Sequence, residues 1–222
     1  VSGQDDRQTD AAALVQRAYA LSSAEESKAL YRDWATSYDQ SMLDGLGYLT
    51  PTLTAELLTR HLDARDAAIL DIGSGTGLAG VALQAAGFTQ LDALDFSREM
   101  LEVAASRNVY QRLIQADLSA PLSMLGDHHY AAMICTGTFT HAHVGASCMS
   151  ELWRILAPGG FLACTVHHDV WISSGFRDTV AHMESLGVLR TLHQKPGRYY
   201  ATSEHDEGDY IVWQRLGNAS AD

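Results

Sequence analysis

Residues 69–80 read Ile-Leu-Asp-Ile-Gly-Ser-Gly-Thr-Gly-Leu-Ala-Gly. A short apolar strand containing Asp71 runs into three alternating glycines, Gly73, Gly75 and Gly77, and an amphipathic helix follows at once. A glycine turn that opens a helix ordinarily receives an anion, because unsatisfied backbone N–H groups and the helix dipole both point at the ligand. A carboxylate set just ahead of that turn repels a pyrophosphate and suits a ligand carrying positive charge. Glycine also lets the backbone approach a ligand where a Cβ would clash or where φ must be positive.

Outward from this stretch, strand and helix alternate. Strands are expected over 67–72, 91–94, 112–116, 130–136 and 161–166, the fourth nearly all apolar, as a strand covered on both faces should be. Between them, Leu78, Val81, Ala82 and Ala85 mark the buried face of one helix, closed by Gly87. Ser97 caps a second helix, with Met100, Val103 and Ala104 inward and Glu99 at the positive end of its dipole. Another helix buries Met149, Leu152, Trp153 and Leu156 before Pro158-Gly159-Gly160 turns the chain. A last helix uses Phe176, Val180 and Met183, and segments 188–194 and 209–215 read as a terminal hairpin around a polar, turn-rich stretch at 195–208.

Upstream, residues 11–21 form one helix and the capping box Ser22-x-x-Glu25 opens a second, with Tyr31, Trp34 and Tyr38 as an aromatic stripe. Thr50-Pro51 supplies an N-cap and a first helical residue for a third helix reaching about Leu62. Repeated βα units imply an α/β fold: a mostly parallel sheet, helices on both faces, and a ligand at the carboxyl edge of the strands. Residues 1–50 read as a helical cap and 51–217 as the core of one structural domain.

Asp71, Asp95 and Asp117 stand 24 and then 22 residues apart, one strand plus one helix plus loops, so successive units deliver a carboxylate each to that edge. Asp95 is placed to hold a ribose diol, Asp117 to accept from an adenine amino group, and Asp71 to oppose an ammonium directly or through water. S-adenosylmethionine, with an ammonium and a sulfonium, is the ligand this arrangement suits. Gly75-x-Gly77-x-x-Gly80 also matches a dinucleotide fingerprint, with Asp95 at a ribose distance. That reading leaves Asp117 without a role and sets Asp71 against the phosphates.

The bulk composition narrows the choice. With 222 residues and 46% hydrophobic content, the chain suits a single domain with a proper core. A formal charge of −12, with 15 scattered Lys and Arg, argues against nucleic acid or an anionic membrane surface as partner. The first residues, Val-Ser-Gly-Gln-Asp-Asp, have neither the basic nor the apolar part of a signal peptide, which points to a soluble, cytoplasmic protein. Cys135, Cys148 and Cys164, odd in number and in or beside apolar segments, read as buried thiols rather than a disulfide framework.

Asp71-Ile-Gly-Ser-Gly-Thr-Gly, the segment Leu-Asp-Ala-Leu-Asp95-Phe-Ser-Arg-Glu-Met-Leu, Gln115-Ala-Asp117-Leu and Leu156-Ala-Pro-Gly-Gly-Phe-Leu resemble the successive motifs of class I S-adenosylmethionine-dependent methyltransferases. Trp34-Ala-Thr-Ser-Tyr-Asp and Tyr110-Gln-Arg-Leu resemble most the methyltransferase named for the Williams–Beuren syndrome region and its bacterial relatives. The superfamily resemblance implies a Rossmann-like, seven-stranded sheet of order 3-2-1-4-5-7-6 with one antiparallel strand. It also implies that Gly73, Gly75 and Gly77 cradle the methionine part of the donor, Asp95 the ribose, and Asp117 with Leu118 the adenine. Phe96 and Met100 pack on the purine, and Cys135-Thr136-Gly137 lies near the transferring methyl. Asp71, Leu78 and Tyr38 complete the cofactor set, and S-adenosylhomocysteine is the product.

A methyl acceptor that is a hydroxyl or protonated nitrogen needs a base, and histidine is the natural candidate. His141 and His143 follow the fourth strand, and His167 and His168 end the fifth; side-chain alternation lets only one of the last two face a pocket. Each of these histidines has an equally simple structural reading, and no tight metal-ligand pattern accompanies them. The aromatic stripe is either ordinary helix core or a lid over the sulfonium. Arg177 and the 195–208 stretch are placed to shape an acceptor pocket for a small molecule. The function so read is methyl transfer to oxygen or nitrogen; a donor-binding protein without transfer and a nicotinamide-dependent oxidoreductase are the alternatives.

Overall fold

A computed structural model of the chain describes residues 11–18, 20, 26, 30, 34–35, 37–140 and 144–217. Seven strands, β1 (Ala68–Ile72), β2 (Gln90–Asp95), β3 (Arg112–Gln115), β4 (Tyr130–Phe139), β5 (Leu156–His167), β6 (Leu189–Gly197) and β7 (Gly208–Arg215), form one sheet. Its order is 3-2-1-4-5-7-6. β1 to β5 pair in parallel, and β7 runs antiparallel to both β5 and β6. Sheet order, mixed strand direction and the terminal hairpin all agree with the expectation.

The period-2 alternation of a strand divides the apolar residues between two cores. Leu70 and Ile72 of β1, Met133 and Cys135 of β4, and Leu162 and Cys164 of β5 enter one cluster. Helices α4 (Met149–Ile155), α5 (His168–Ser173) and α6 (Phe176–Ser185) supply its other side through Met149, Leu152, Val170 and Phe176. Their neighbours Ile69, Ala132, Ile134 and Ala163 face the opposite cluster, against α1 (Thr50–Thr59) and α2 (Leu78–Ala85). Helix α3 (Arg98–Ser106) packs on β2 and β3. Its cap is as read: the Met100 N–H donates to Ser97 Oγ at 3.2 Å.

Several local expectations are corrected. The inward face of α2 is Ala79, Gly80 and Leu83, while Val81 is 38% exposed and Ala85 is exposed. The reason is the Tyr110 side chain, which lies so close to Gly80 that an added Cβ would stand 2.2 Å from its hydroxyl. The helix therefore turns its smallest residue inward rather than its most apolar stripe. Thr50 is not the cap of α1 but its first residue, with Leu49 in the cap position and no side-chain capping bond. The hydroxyls of Thr50 and Thr54 are buried without partners. Leu156 begins β5, paired with Tyr130, instead of ending the preceding helix, and Gly159 at φ +80° carries the irregularity before Phe161 meets Ala132.

Ahead of the sheet, residues 11–18 are helical and a π-helical segment, Gln40–Leu46, leads to Gly47 at φ +66°. The capping box Ser22–Glu25 and Tyr31 of the aromatic stripe lie outside the described residues, as do His141 and His143. Among the described residues no helix is long and apolar enough to cross a membrane. The three cysteines are free and buried, as their apolar settings implied.

Candidate cofactor and acceptor site

The glycine turn is built by close approaches on its two flanks, from Thr138 at Gly73 and from Tyr110 at Gly77. Gly73, Gly75 and Gly77 all take positive φ, at 61°, 52° and 89°. A Cβ on Gly73 would lie 2.0 Å from Thr138 Oγ1 at the end of β4, so this glycine makes room for its neighbouring strand. A Cβ on Gly75 would meet nothing within 4 Å. The turn thus presents open space at its middle glycine and packed protein on either side.

Asp95, the last residue of β2, ties the turn to the sheet edge. Its Oδ2 accepts the Gly75 N–H and its Oδ1 the Ser97 N–H, each at 2.8 Å. The carboxyl is 5% exposed, and burial pushes its pKa up while the N–H groups of Ser97, Gly75 and Phe96 hold it down. Charge-assisted bonds of this kind fix an acceptor in place before any ligand arrives. Asp117, two residues past β3, is exposed and caps a turn by accepting from the Ser119 N–H at 2.9 Å and hydroxyl at 2.7 Å.

Asp71 occupies a different position from its two companions. It is 1% exposed, beneath the turn, with Oδ2 accepting the Tyr110 hydroxyl at 2.5 Å and Oδ1 without a partner. The same hydroxyl accepts the Gly80 N–H at 3.1 Å. Burial raises the Asp71 pKa to about 7, against the Tyr110 hydrogen bond, and the charge of Asp95 adds to the rise. The carboxyl is thus packed beneath the turn rather than exposed beside Asp117. Tyr110, absent from the expected site residues, explains both Gly77 and Gly80, whose Cβ positions it fills.

A second unexpected residue is Asp39. Its Oδ1 accepts the Thr76 hydroxyl at 2.5 Å and its Oδ2 pairs with Arg107, whose Nε donates to the Thr76 carbonyl at 2.6 Å. This clamp joins the segment before the π-helix to the glycine turn and to the turn after α3. Its signal in the sequence was only its place beside Tyr38 in a recognisable segment; a bond across 37 residues of chain has no local signature.

The remaining expected cofactor residues fall around the same edge with varied exposure. Phe96 and Thr136 are half-buried, Met100 and Leu118 are buried at 2% and 7%, and Leu78 begins α2 at the turn. Tyr38 is half-buried, its ring 4.8 Å from that of Trp34 in an edge contact. The Cys135 side chain points into the core at 0% exposure, so only its backbone can meet a ligand.

Beside Gly137 lies a small aromatic cavity of about 30 Å³, lined by Trp34, Tyr38, Met42, Tyr48, Tyr199 and Tyr200 among others. Gly137 is required there: its φ is +71°, and a Cβ would stand 2.4 Å from the Tyr48 hydroxyl. Tyr48 and Tyr200 stack at 5.5 Å and form an isolated β-bridge. The 195–208 stretch thus contributes tyrosines to the pocket, whereas Arg177 pairs with Asp178 on the surface. Of the two histidines ending β5, His167 is 8% exposed, on the side of Ala163 and Thr165, with its ring 6.0 Å from Tyr199. Its Nδ1 accepts the Asp169 N–H at 3.2 Å. His168 turns outward beside Asp209, at 3.3 Å. Alternation along the strand therefore turns His167 inward and His168 outward.

The strand order and a glycine turn fastened to an acid at the end of β2 define the class I methyltransferase fold. The sequence matches the family described as a methyltransferase domain over residues 70–164. It is 32% identical over 185 residues to human methyltransferase-like protein 27, covering 81% of this chain and 75% of that one. The fold is similar to that of a putative S-adenosylmethionine-dependent methyltransferase from Methanococcus maripaludis, with TM-score 0.60, 17% identity and coverage of 87% and 95%. It is also similar to the cyclase SpnF, with TM-score 0.67, 15% identity and coverage of 89% and 97%. The chain belongs to the S-adenosylmethionine-dependent methyltransferases, and S-adenosylmethionine is its cofactor. The residues fit that group: Gly75 leaves open space, and Asp95 is a fixed acceptor beside it.

Proposed function

We propose that this chain transfers a methyl group from S-adenosylmethionine to an oxygen or nitrogen of a small molecule. The observation that carries the reading is His167, a buried histidine whose ring lies 6.0 Å behind that of Tyr199, one of the tyrosines lining the aromatic cavity beside Gly137. The cofactor supplies an electrophilic methyl on a sulfonium. The protein supplies position and dryness, which make up much of the acceleration in such a displacement. Asp95 holds the ribose diol, Asp117 and Leu118 the adenine edge, and Phe96 and Met100 the purine faces. Gly73, Gly75 and Gly77 admit the methionine part, with Leu78 and Thr136 alongside, and Asp71 balances its charge from below. Tyr38 and Trp34 form a lid, and His167 takes the acceptor's proton on Nδ1 as this nitrogen releases the Asp169 N–H. A role for His141 or His168 as base is the weaker form of the same proposal.

The finer placement with the Williams–Beuren region methyltransferase and its relatives belongs to this proposal. Its support is that the two segments carrying that resemblance both meet the glycine turn, one through Asp39 and the other through Tyr110. A donor-binding protein without transfer activity is a second reading, favoured by the cavity's volume, which holds about one water. The likeness to a cyclase on the same fold supports it too, since a fold does not fix a reaction.

Calorimetric titration with S-adenosylhomocysteine and a nicotinamide dinucleotide, alongside a transfer assay, separates these readings. Asp95→Ala should weaken S-adenosylhomocysteine by roughly 100-fold, the scale of losing charge-assisted hydrogen bonds. His167→Ala should leave that affinity intact and lower transfer by about 100-fold or more. Equal loss of donor binding in both variants contradicts the division of roles, and tight dinucleotide binding overturns the proposal.

A further inference from the structure

Five arginines of this acidic chain are neutralised by a neighbouring acid. Arg98 pairs with Glu102, Arg107 with Asp39, Arg112 with Asp92, Arg154 with Glu151 and Asp127, and Arg177 with Asp178. Arg60 and Lys195 are different: neither has an ion pair or side-chain hydrogen bond among the described residues. Both line one cleft of about 320 Å³ between α1 and the β6–β7 hairpin, together with Arg198 and His193. Arg198 uses one N–H on the Ser203 carbonyl at 3.2 Å and keeps the rest of its fork. Glu56 is the one acid among the lining residues described. The walls between these charges are apolar, with Leu53 40% exposed and Leu57, Pro196 and Tyr210 beside it.

We infer that this cleft is a second binding site, separate from the methyl-transfer site, for a phosphate or carboxylate carried on an apolar body. Among the lining residues three cations face one acid, with Asp206 and Glu207 acting on Tyr210 from beyond the lining, and this local excess of positive charge on a chain whose formal charge is −12 attracts an anion. The guanidinium forks of Arg60 and Arg198 suit the paired oxygens of phosphate or carboxylate, and Lys195 adds a point charge. The exposed leucine and the Tyr210 ring cover an apolar body. His193 reports the same field: burial and then the charges of Lys195, His61 and Arg60 lower its pKa, with no acid opposing them.

The cleft also adjoins the aromatic cavity along the chain, though no residue lines both. The Tyr210 hydroxyl donates to the Arg198 carbonyl at 2.9 Å, and Arg198 directly precedes Tyr199 and Tyr200, which line that cavity. The Leu49 N–H donates to the Tyr199 carbonyl at 2.8 Å from the other side of the cleft. An anion held here therefore rests on the back of the segment that closes the acceptor pocket.

The full chain, with and without S-adenosylhomocysteine, is titrated with phenyl phosphate, inorganic phosphate and benzyl alcohol while the amide resonances of His193, Gln194, Lys195 and Arg198 are followed. Phenyl phosphate should shift them, bind more tightly than inorganic phosphate, and weaken as salt is raised. Benzyl alcohol, with a similar body and no charge, should shift them only slightly. The double variant R60E/K195E should lose at least tenfold in phenyl phosphate affinity at unchanged S-adenosylhomocysteine affinity, and Glu56→Gln should bind more tightly. Unmoved cleft resonances, full binding by R60E/K195E, equal response to benzyl alcohol, or weaker binding by Glu56→Gln would each overturn the assignment.

Discussion

At the scale of single residues, Asp71 shows how position changes the meaning of a motif. In the sequence it is one of three equivalent acids; in the fold it is sealed under the glycine turn on the Tyr110 hydroxyl, with a pKa near 7 instead of the ordinary 3.8. A raised acid binds its proton more tightly in the native state than in the unfolded chain. Its contribution to stability is therefore greatest below pH 4 and is lost as pH rises to about 7. A bound cation favours the ionised carboxylate and pulls the pKa back down. S-adenosylmethionine should accordingly bind several-fold more tightly at pH 8 than at pH 6, and raise the melting temperature more at the higher pH. Calorimetry and thermal denaturation at the two pH values check this; equal affinity at both would show that Asp71 does not sense the ligand's charge.

At the scale of elements, the chain before the π-helix is fastened to the core by the Asp39 clamp. Asp39 and Arg107 are about one-third and one-quarter exposed, so their pairing is only partly screened, and the Thr76 hydroxyl and carbonyl complete it. Asp39→Ala leaves a partly buried guanidinium and a hydroxyl without their acceptor, at a cost of about 1–3 kcal/mol. The variant should show a melting temperature lower by several degrees, faster hydrogen exchange in residues 40–46, and roughly tenfold weaker S-adenosylhomocysteine binding. Unchanged exchange with unchanged donor affinity would mean that the clamp fastens nothing the cofactor uses. The elements themselves were legible where their signal is local: the Ser97 cap, the apolar alternation of β4 and the terminal hairpin all stand as read. The face of α2 was misread because Gly80 is turned inward by Tyr110, a residue on the far side of another helix and absent from the α2 pattern.

At the scale of the whole molecule, two cores flank one sheet, and all three cysteines lie in the same one, with Leu70 and Ile72. Burial pushes the Cys148 thiol up to about 12 and those of Cys135 and Cys164 well above their usual range, so little thiolate exists near neutrality. The native protein should leave Ellman's reagent nearly unconsumed over an hour and react at all three cysteines once denatured; fast reaction of the folded chain would show an opening near β4 or β5. The α/β class, the glycine turn and the acid that ends β2 were legible in the sequence alone, because periodicity, capping and turn chemistry act over a few neighbouring residues. The burial of Asp71, the Asp39 clamp, the inward turn of His167 with His168 outward, and the placing of Arg60 and Lys195 on one cleft were decided by the tertiary structure. Each joins residues from separate elements, and burial and electrostatic fields depend on everything packed around a group rather than on what precedes or follows it in the chain.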